Sequence, residues 1–245
     1  MPEKRQLTFE LRDLVREPDP ALFDEVYRRI LRPAFDDDEL ESAEEISRQI
    51  AEGTRLRLLA AFDPAGEPLG AVTSDWYPGA DVLLIGYLAV SPATRGTGIG
   101  SELMRRALAA WTAELGPALV LAEVEDPRFF EVTEHGDPYA RVRFYERLGG
   151  RIVALPYFQP SLAEDTQRVQ HLVLMSLNQT PDGADHVPTE PVAQFLDEYF
   201  ATCEGPQVAE EPDFRALRAL VLREPTAALL TGDDLDRLPI FESVN

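Results

Sequence analysis

Nearly unbroken apolar runs alternate along this chain with runs in which apolar residues recur at helical spacing, and the change of period marks out strands and helices. Leu7–Leu14 alternates and predicts a strand. Asp19-Pro20 supplies an N-cap and a first-turn proline ahead of Leu22, Phe23, Val26 and Ile30, which share one helical face. A second helix is expected to run through Ile50. Leu56–Phe62 and Pro68–Tyr77 read as strands, and the turn residues Asp63-Pro64 and Gly66 between them predict an antiparallel hairpin. Asp81–Val90 is almost wholly apolar, as expected of a strand at a sheet centre. Ile99, Leu103, Ala107, Ala110 and Trp111 then fall on one helical face, and Gly116-Pro117 ends that helix.

Residues 118–125 form another buried-type run. Strand, glycine loop, helix and strand therefore predict a βαβ unit with a right-handed crossover and a parallel strand pair. After a loop at 126–138, Tyr139–Gly150 reads as a helix, and Arg151–Phe158 and Arg168–Leu177 as two last strands. A polar, proline-containing linker follows. Val192, Phe195, Leu196, Tyr199 and Phe200 make one helical apolar stripe, and Phe214, Leu217, Leu220 and Val221 make another. Such stripes must be covered, by packing on the core, by closing over the active site or by a second copy in a homodimer. The expected division is a domain at 1–177 and a linker with a helical extension at 178–245.

Arg95-Gly96-Thr97-Gly98-Ile99-Gly100-Ser101 joins the apolar strand to its helix. A helix N-terminus exposes unpaired amides at the positive end of the helix dipole, which suits an anion. The glycines let those amides approach a ligand, Arg95 adds a full charge, and a phosphate or pyrophosphate fits. A Walker A loop requires Gly-Lys-Ser/Thr, and here Gly100 is followed by Ser101 without lysine. A dinucleotide fingerprint requires a third glycine where Leu103 stands.

Composition narrows the ligand class. Among 245 residues, 44 acids oppose 23 bases, and the formal charge of -21 argues against nucleic acid and anionic membrane surfaces as partners. The sequence has no signal-peptide-like start and no bilayer-length apolar run, so a cytoplasmic protein is expected. Cys203 stands alone, and His135, His171 and His186 lack metal-ligand spacing, so no metal is expected.

Arg95-Gly96-Thr97-Gly98-Ile99-Gly100, preceded by Leu88-Ala89-Val90-Ser91-Pro92, resembles the pyrophosphate loop of the GNAT superfamily of acyl-CoA-dependent N-acyltransferases. Arg143-Phe144-Tyr145-Glu146-Arg147-Leu148-Gly149-Gly150 is similar to a second block of that family, and the element order over residues 7–177 agrees. The resemblance implies a mixed, mostly antiparallel α/β sheet with a splayed parallel strand pair, flanked by helices. It implies acetyl-CoA as acyl donor, with the pantetheine arm bonded to backbone at Leu88, Ala89 and Val90. The Val90 amide would meet the thioester carbonyl, and the loop Arg95 to Ser101 would hold the pyrophosphate.

Tyr145 matches the family's general acid, the group that protonates the departing CoA thiolate. Arg141, four residues earlier on the same helical face, either favours the anionic phenol or contacts a cofactor phosphate. The family often places a glutamate base on the strand that here offers only Tyr87. Glu123 is the first candidate base, with Glu125 and His135 behind it. Pro138 stands where family members often carry a cofactor-binding asparagine.

The acceptor region of the family corresponds to Asp36–Glu45, seven acids in ten residues, which favours a cationic amine such as a polyamine, an aminoglycoside or a basic amino-acid derivative. The 126–138 loop, with Phe129, Phe130 and His135, is a second candidate wall. The expected activity is direct acetyl transfer to a primary amine in a ternary complex, by a monomer or a homodimer. A non-catalytic acyl-CoA-binding regulator is the alternative.

Overall fold

The computed structural model describes residues 8–35, 40–133, 136–162, 166–177 and 185–244. The chain divides into two compact units, Met1–Trp76 with Ile85–Gly116 and Tyr77–Leu84 with Pro117–Asn245.

The first unit holds β1 (Glu10–Asp13), α1 (Pro20–Val26), α2 (Ala43–Glu52), β2 (Leu56–Phe62), most of β3 (Pro68–Tyr77), the end of β4 (Val82–Val90) and α3 (Ile99–Leu115). Its strands lie in the order β1-β2-β3-β4. The hairpin forms as its turn residues dictate: Asp63 Oδ1 accepts from the amides of Ala65 (2.8 Å) and Glu67 (2.9 Å), and Gly66 adopts φ +86°. Leu56 faces Asp75 and Ala61 faces Gly70 across it. Asp19 caps α1 through the amides of Ala21 and Leu22 at 3.0 and 3.1 Å, and the helix continues as a wider π turn over Tyr27–Leu31. Phe23, Val26, Ile30 and Ile46 are buried against Leu58, Ala60 and Ala71. Each such side chain contributes roughly 1.5–3 kcal/mol of burial free energy.

The second unit contains the start of β4, then β5 (Leu119–Glu125), α4 (Pro138–Glu146), β6 (Arg151–Val153), β7 (Phe158–Gln159), β8 (Val169–Gln170) and β9 (Leu172–Ser176). It ends with β10 (His186–Pro188), α5 (Thr189–Glu204), α6 (Pro212–Val221), β11 (Thr226–Leu230) and a 3-10 turn at Gly232–Arg237. Its sheet order is β4-β5-β9-β6-β11-β10. The Asp81 carbonyl accepts from the amides of Ala118 (2.7 Å) and Leu119 (3.3 Å), so β4 and β5 start together and run parallel. β5 is antiparallel to β9, β9 to β6, and β6 to β11. The fold is mixed α/β: a mostly antiparallel sheet with one parallel pair, flanked by helices.

Three expected elements differ. The strand expected at Arg151–Phe158 stops at Val153, where the Leu155 amide turns back to the Val153 carbonyl at 2.8 Å and Pro156 has no amide to offer a ladder. The strand expected at Arg168–Leu177 is divided by His171, at φ +61°, into β8 and β9. The C-terminal residues form the two expected helices but also β10 and β11, and β11 joins the sheet beside β6. Phe195, Leu196, Tyr199, Phe200 and Phe214 pack in one core with Val82, Leu84, Leu119, Leu121 and Val153.

Candidate functional site

The first unit carries the glycine loop. Pro92–Thr94 forms a 3-10 turn, and Gly96 and Gly98 adopt φ +76° and +94°, a left-handed conformation that costs an ordinary residue about 1–2 kcal/mol. Gly98 is the N-cap of α3 and no side chain caps that helix, so its first-turn amides remain open. Their first partner inside the helix appears only at the Glu102 amide, which bonds the Gly98 carbonyl at 3.0 Å. Arg95 is exposed and, among the described residues, forms no ion pair. That contrasts with Arg105 and Arg106 on the same helix, both held by Glu102. An uncapped helix start beside a guanidinium that forms no ion pair among the described residues has the charge and open donors that suit a multiply charged anion.

The loop is backed by the last residues of β4. A Cβ on Gly100 would lie 3.4 Å from Val90 Cγ1, and one on Gly70 would lie 2.9 Å from the Ala89 carbonyl oxygen. Gly70 therefore permits a close approach of β3 to β4 behind Ala89 and Val90. The Tyr87 amide donates to the Thr73 hydroxyl at 2.8 Å, and a Cβ on Gly86 would lie 2.9 Å from that same oxygen. Sequence reading missed Gly70, Thr73 and Gly86; the glycines inside apolar strand runs were the available signal.

The segment between α1 and α2 is tied to Tyr87. The Tyr27 hydroxyl donates to the Glu41 carbonyl (3.0 Å), the Glu41 amide donates to the Tyr87 hydroxyl (3.1 Å), and Phe35 meets the Tyr87 ring edge-on at 5.0 Å. Burial pushes the Tyr87 phenol well above its usual range. The Glu41 carboxyl, bonded to Gln49 at 2.7 Å, is also pushed up by burial. Glu45 pairs with Arg48. The acidic run is thus partly engaged within the chain, while residues 36–39 of it lie outside the described residues.

The second unit holds Glu123, Glu125, Arg141 and Tyr145. Glu123 and Glu125 share one face of β5, and their surroundings separate them chemically. Glu125 accepts an ion pair from Arg141 at 3.0 Å. Glu123 is partly buried and, among the described residues, meets neutral donors: the Tyr157 hydroxyl, Gln159 Nε2 at 2.8 Å and the Tyr199 hydroxyl at 3.3 Å. Burial raises its pKa, and the three donors pull the other way. The burial of Tyr157 and Tyr199 beside that carboxylate raises both phenols well above their ordinary range, so they stay donors.

Tyr145 is 6% exposed, with Phe144 edge-on at 5.3 Å. Burial raises its phenol to about 12, and the charge of Arg141 opposes the rise. Among the described residues its hydroxyl has no hydrogen-bond partner. α4 starts at Pro138, capped by Asp137 through the Tyr139 amide at 2.9 Å, so Pro138 serves as a first-turn residue. His135, the third candidate base, lies outside the described residues. Tyr157, Gln159 and Tyr199 were not foreseen as site residues, because a tyrosine in an apolar stripe reads as core.

Among the described residues no helix is long and apolar enough to cross a membrane, and no cluster suited to a metal ion occurs.

Residues 55–149 match the family model of the acetyltransferase (GNAT) domain, a span that includes the glycine loop, Glu123, Arg141 and Tyr145. Among curated proteins no relative matches significantly. A solved protein from Bacteroides thetaiotaomicron assigned to the GNAT acetyltransferase family is 21% identical, with 79% of this chain and 99% of that one covered and a TM-score of 0.54. An aminoglycoside 6'-N-acetyltransferase complexed with coenzyme A is 19% identical, with 71% and 99% covered and a TM-score of 0.50. At these identities the structural likeness speaks for the fold, and the domain match speaks for the family. Residues 55–149 thus match a GNAT acetyltransferase domain, and the fold that contains them is similar to that of solved proteins assigned to that family.

Proposed function

We propose that the protein transfers acetyl from acetyl-CoA to the primary amine of a small acceptor, directly and within a ternary complex. The observation that carries this reading is the uncapped start of α3 with Gly96, Gly98 and unpaired Arg95, a cradle whose charge and open amides fit the CoA pyrophosphate. In this reading the amides from Gly96 to Ser101 hold the phosphates, Thr97 and Ile99 contributing backbone only. Leu88 and Ala89 offer backbone to the pantetheine amides, and the Val90 amide polarises the thioester carbonyl. Such a donor stabilises the oxyanion of a tetrahedral intermediate, a contribution of ~10²-fold or more in rate.

The acceptor amine attacks the carbonyl carbon and the C–S bond then breaks. Glu123, with its pKa raised by burial, takes the proton that the amine must lose. Glu125 is instead engaged in an ion pair with Arg141 at 3.0 Å, whereas the partners of Glu123 are neutral. Tyr145 gives its proton to the departing thiolate; a phenol pushed to about 12 is fully protonated at neutral pH. The cationic acceptor remains part of the proposal, supported by the net charge of -21 and the seven acids among the ten residues Asp36–Glu45. A cytoplasmic location is likewise proposed.

Tyr145→Phe tests catalysis against a purely regulatory, acyl-CoA-binding role. The expected result is a fall in kcat of about 10²-fold with acetyl-CoA affinity unchanged. A variant that still releases CoA at the wild-type rate in the presence of amine overturns the role of Tyr145. A wild type that binds acetyl-CoA but turns over no amine favours the regulator.

A further inference from the structure

Tyr199 belongs to the C-terminal segment, outside residues 55–149, yet its hydroxyl reaches Glu123 Oε2 at 3.3 Å. Tyr157 bonds the other oxygen, Oε1, and Gln159 shares Oε2 at 2.8 Å. Both oxygens of the carboxylate are therefore oriented by neutral donors, two of them phenols, and one phenol comes from a helix that the acetyltransferase domain match does not include.

That helix is fixed where it delivers the hydroxyl. The Tyr199 ring stacks on Phe195 at 5.3 Å and meets Tyr77 edge-on at 5.5 Å. Glu198, its neighbour, accepts from the Gly79 amide at 3.0 Å. At the end of the same helix Glu204 is held by Arg168 at 2.6 Å, and Arg168 also holds Glu211 ahead of α6. The ring contacts hold the Tyr199 side chain, and the bonds of Glu198 and Glu204 hold the helix that carries it.

We infer that Tyr199 is a positioning residue for the acceptor-activating carboxylate, so that the C-terminal segment completes the acetyltransferase site. The inference rests on the reading of Glu123 as base. Tyr199 acts by favouring the carboxylate over the carboxylic acid and by restricting its rotation. Among the described residues, Tyr77 and Cys203 are the further titratable groups that adjoin the two phenols.

The test uses the full chain as wild type, Tyr199→Phe, Tyr157→Phe and Glu123→Gln. Two quantities are measured: the pH dependence of kcat/KM, and the titration of the Glu123 carboxyl carbon by NMR of glutamate-labelled protein, the signal being assigned by its loss in Glu123→Gln. Removal of a donor to the charged form raises the pKa. Tyr199→Phe is therefore expected to move the carboxyl titration and the acid limb of kcat/KM upward together, by about half a pH unit to one pH unit. Tyr157→Phe is expected to move both further.

A Glu123 titration that stays in place in Tyr199→Phe overturns the positioning role. A titration that moves while the acid limb does not, or a Glu123→Gln enzyme with wild-type kcat/KM, overturns the base reading instead. Because a phenylalanine keeps the ring packing, a merely structural tyrosine would alter melting and leave both pH profiles unmoved.

Discussion

Gly98 offers the most direct test of the anion cradle, because shape and charge can be separated there. No atom lies within 4 Å of the place a Cβ would occupy, so a side chain has room. The constraint is conformational: φ is +94°, which asparagine and aspartate tolerate better than most residues. Gly98→Asn thus adds the bulk and backbone strain, at about 1 kcal/mol, without charge. Gly98→Asp adds nearly the same shape with a negative charge at the mouth of the α3 N-terminus. With the carboxylate about 5 Å from a phosphate, Coulomb's law gives roughly 1 kcal/mol at the dielectric of water and about 3 kcal/mol at an effective value near 20.

The expected difference between the two variants is therefore about 5- to 150-fold in the Kd of acetyl-CoA, by calorimetric titration. Arg95→Ala is the complement, since it removes the facing positive charge. Binding by all of these proteins should weaken with salt, and the Asp-to-Asn gap should narrow as the repulsion is screened. If Gly98→Asp and Gly98→Asn bind acetyl-CoA equally and both keep the wild-type melting temperature, the pyrophosphate does not sit at this helix. The cofactor assignment then fails with it.

Arg168 is 19% exposed, pairs with Glu204 and Glu211, and lies over the rings of Phe158 and Phe200 at 5.3 and 5.7 Å. Arg168→Ala strands two partly buried carboxylates and is expected to cost about 3–5 kcal/mol in denaturant unfolding. Arg168→Lys should recover only part of this, because an ammonium cannot serve both carboxylates in the fork geometry. Equal stability of wild type and alanine variant would refute the clamp. Glu123 gives a pH signature in stability. Its folded pKa lies above the ordinary 4.5, so the folded state holds the proton more tightly, and this contribution fades as pH rises through the window above 4.5. Glu123→Gln should flatten that part of the dependence of Tm on pH, whereas an unchanged slope would count against the raised pKa.

The sequence pattern revealed most of the first unit because its signals are local. Asp19-Pro20 starts a helix, Asp63 and Gly66 turn a hairpin, and Gly116 ends α3 at φ +60°. Each is decided by a side chain's bond to nearby backbone or by a backbone angle that glycine permits. The glycine loop was legible for the same reason. Irregularities in the second unit were less so: a lone histidine does not by itself announce the positive φ of His171, and β6 already ends at Val153 through the Leu155 turn, ahead of Pro156. β10 and β11 escaped notice because three and five residues give too little alternation to stand out from a linker. Glu123 was legible as a carboxylate on a strand, but its partners come from 34, 36 and 76 residues away, and no local pattern carries that pairing.

These long-range partners bear on where the acetyltransferase unit ends. A boundary after Leu177 follows the loss of apolar pattern, but pattern marks elements and not cores. β11 bonds to β6 through Leu229 opposite Val153 and Leu230 opposite Ile152. Gly232 donates its amide to Glu146 at 2.7 Å, next to Tyr145 in sequence, and a Cβ there would crowd Val142 at 3.2 Å. Phe195, Phe200 and Phe214 are each 2% exposed or less, in the same core as Leu119 and Leu121 of β5. Removing residues 178–245 would bare that face of β5, free an edge of β6 and take away a donor to Glu123, a loss of several large buried side chains at roughly 1.5–3 kcal/mol each. That sum exceeds the stability of an ordinary domain. The described part of the segment after Leu177 therefore belongs to the second unit's core, and a description that stops at the matched residues 55–149 omits Tyr157, Gln159 and Tyr199, the donors to Glu123.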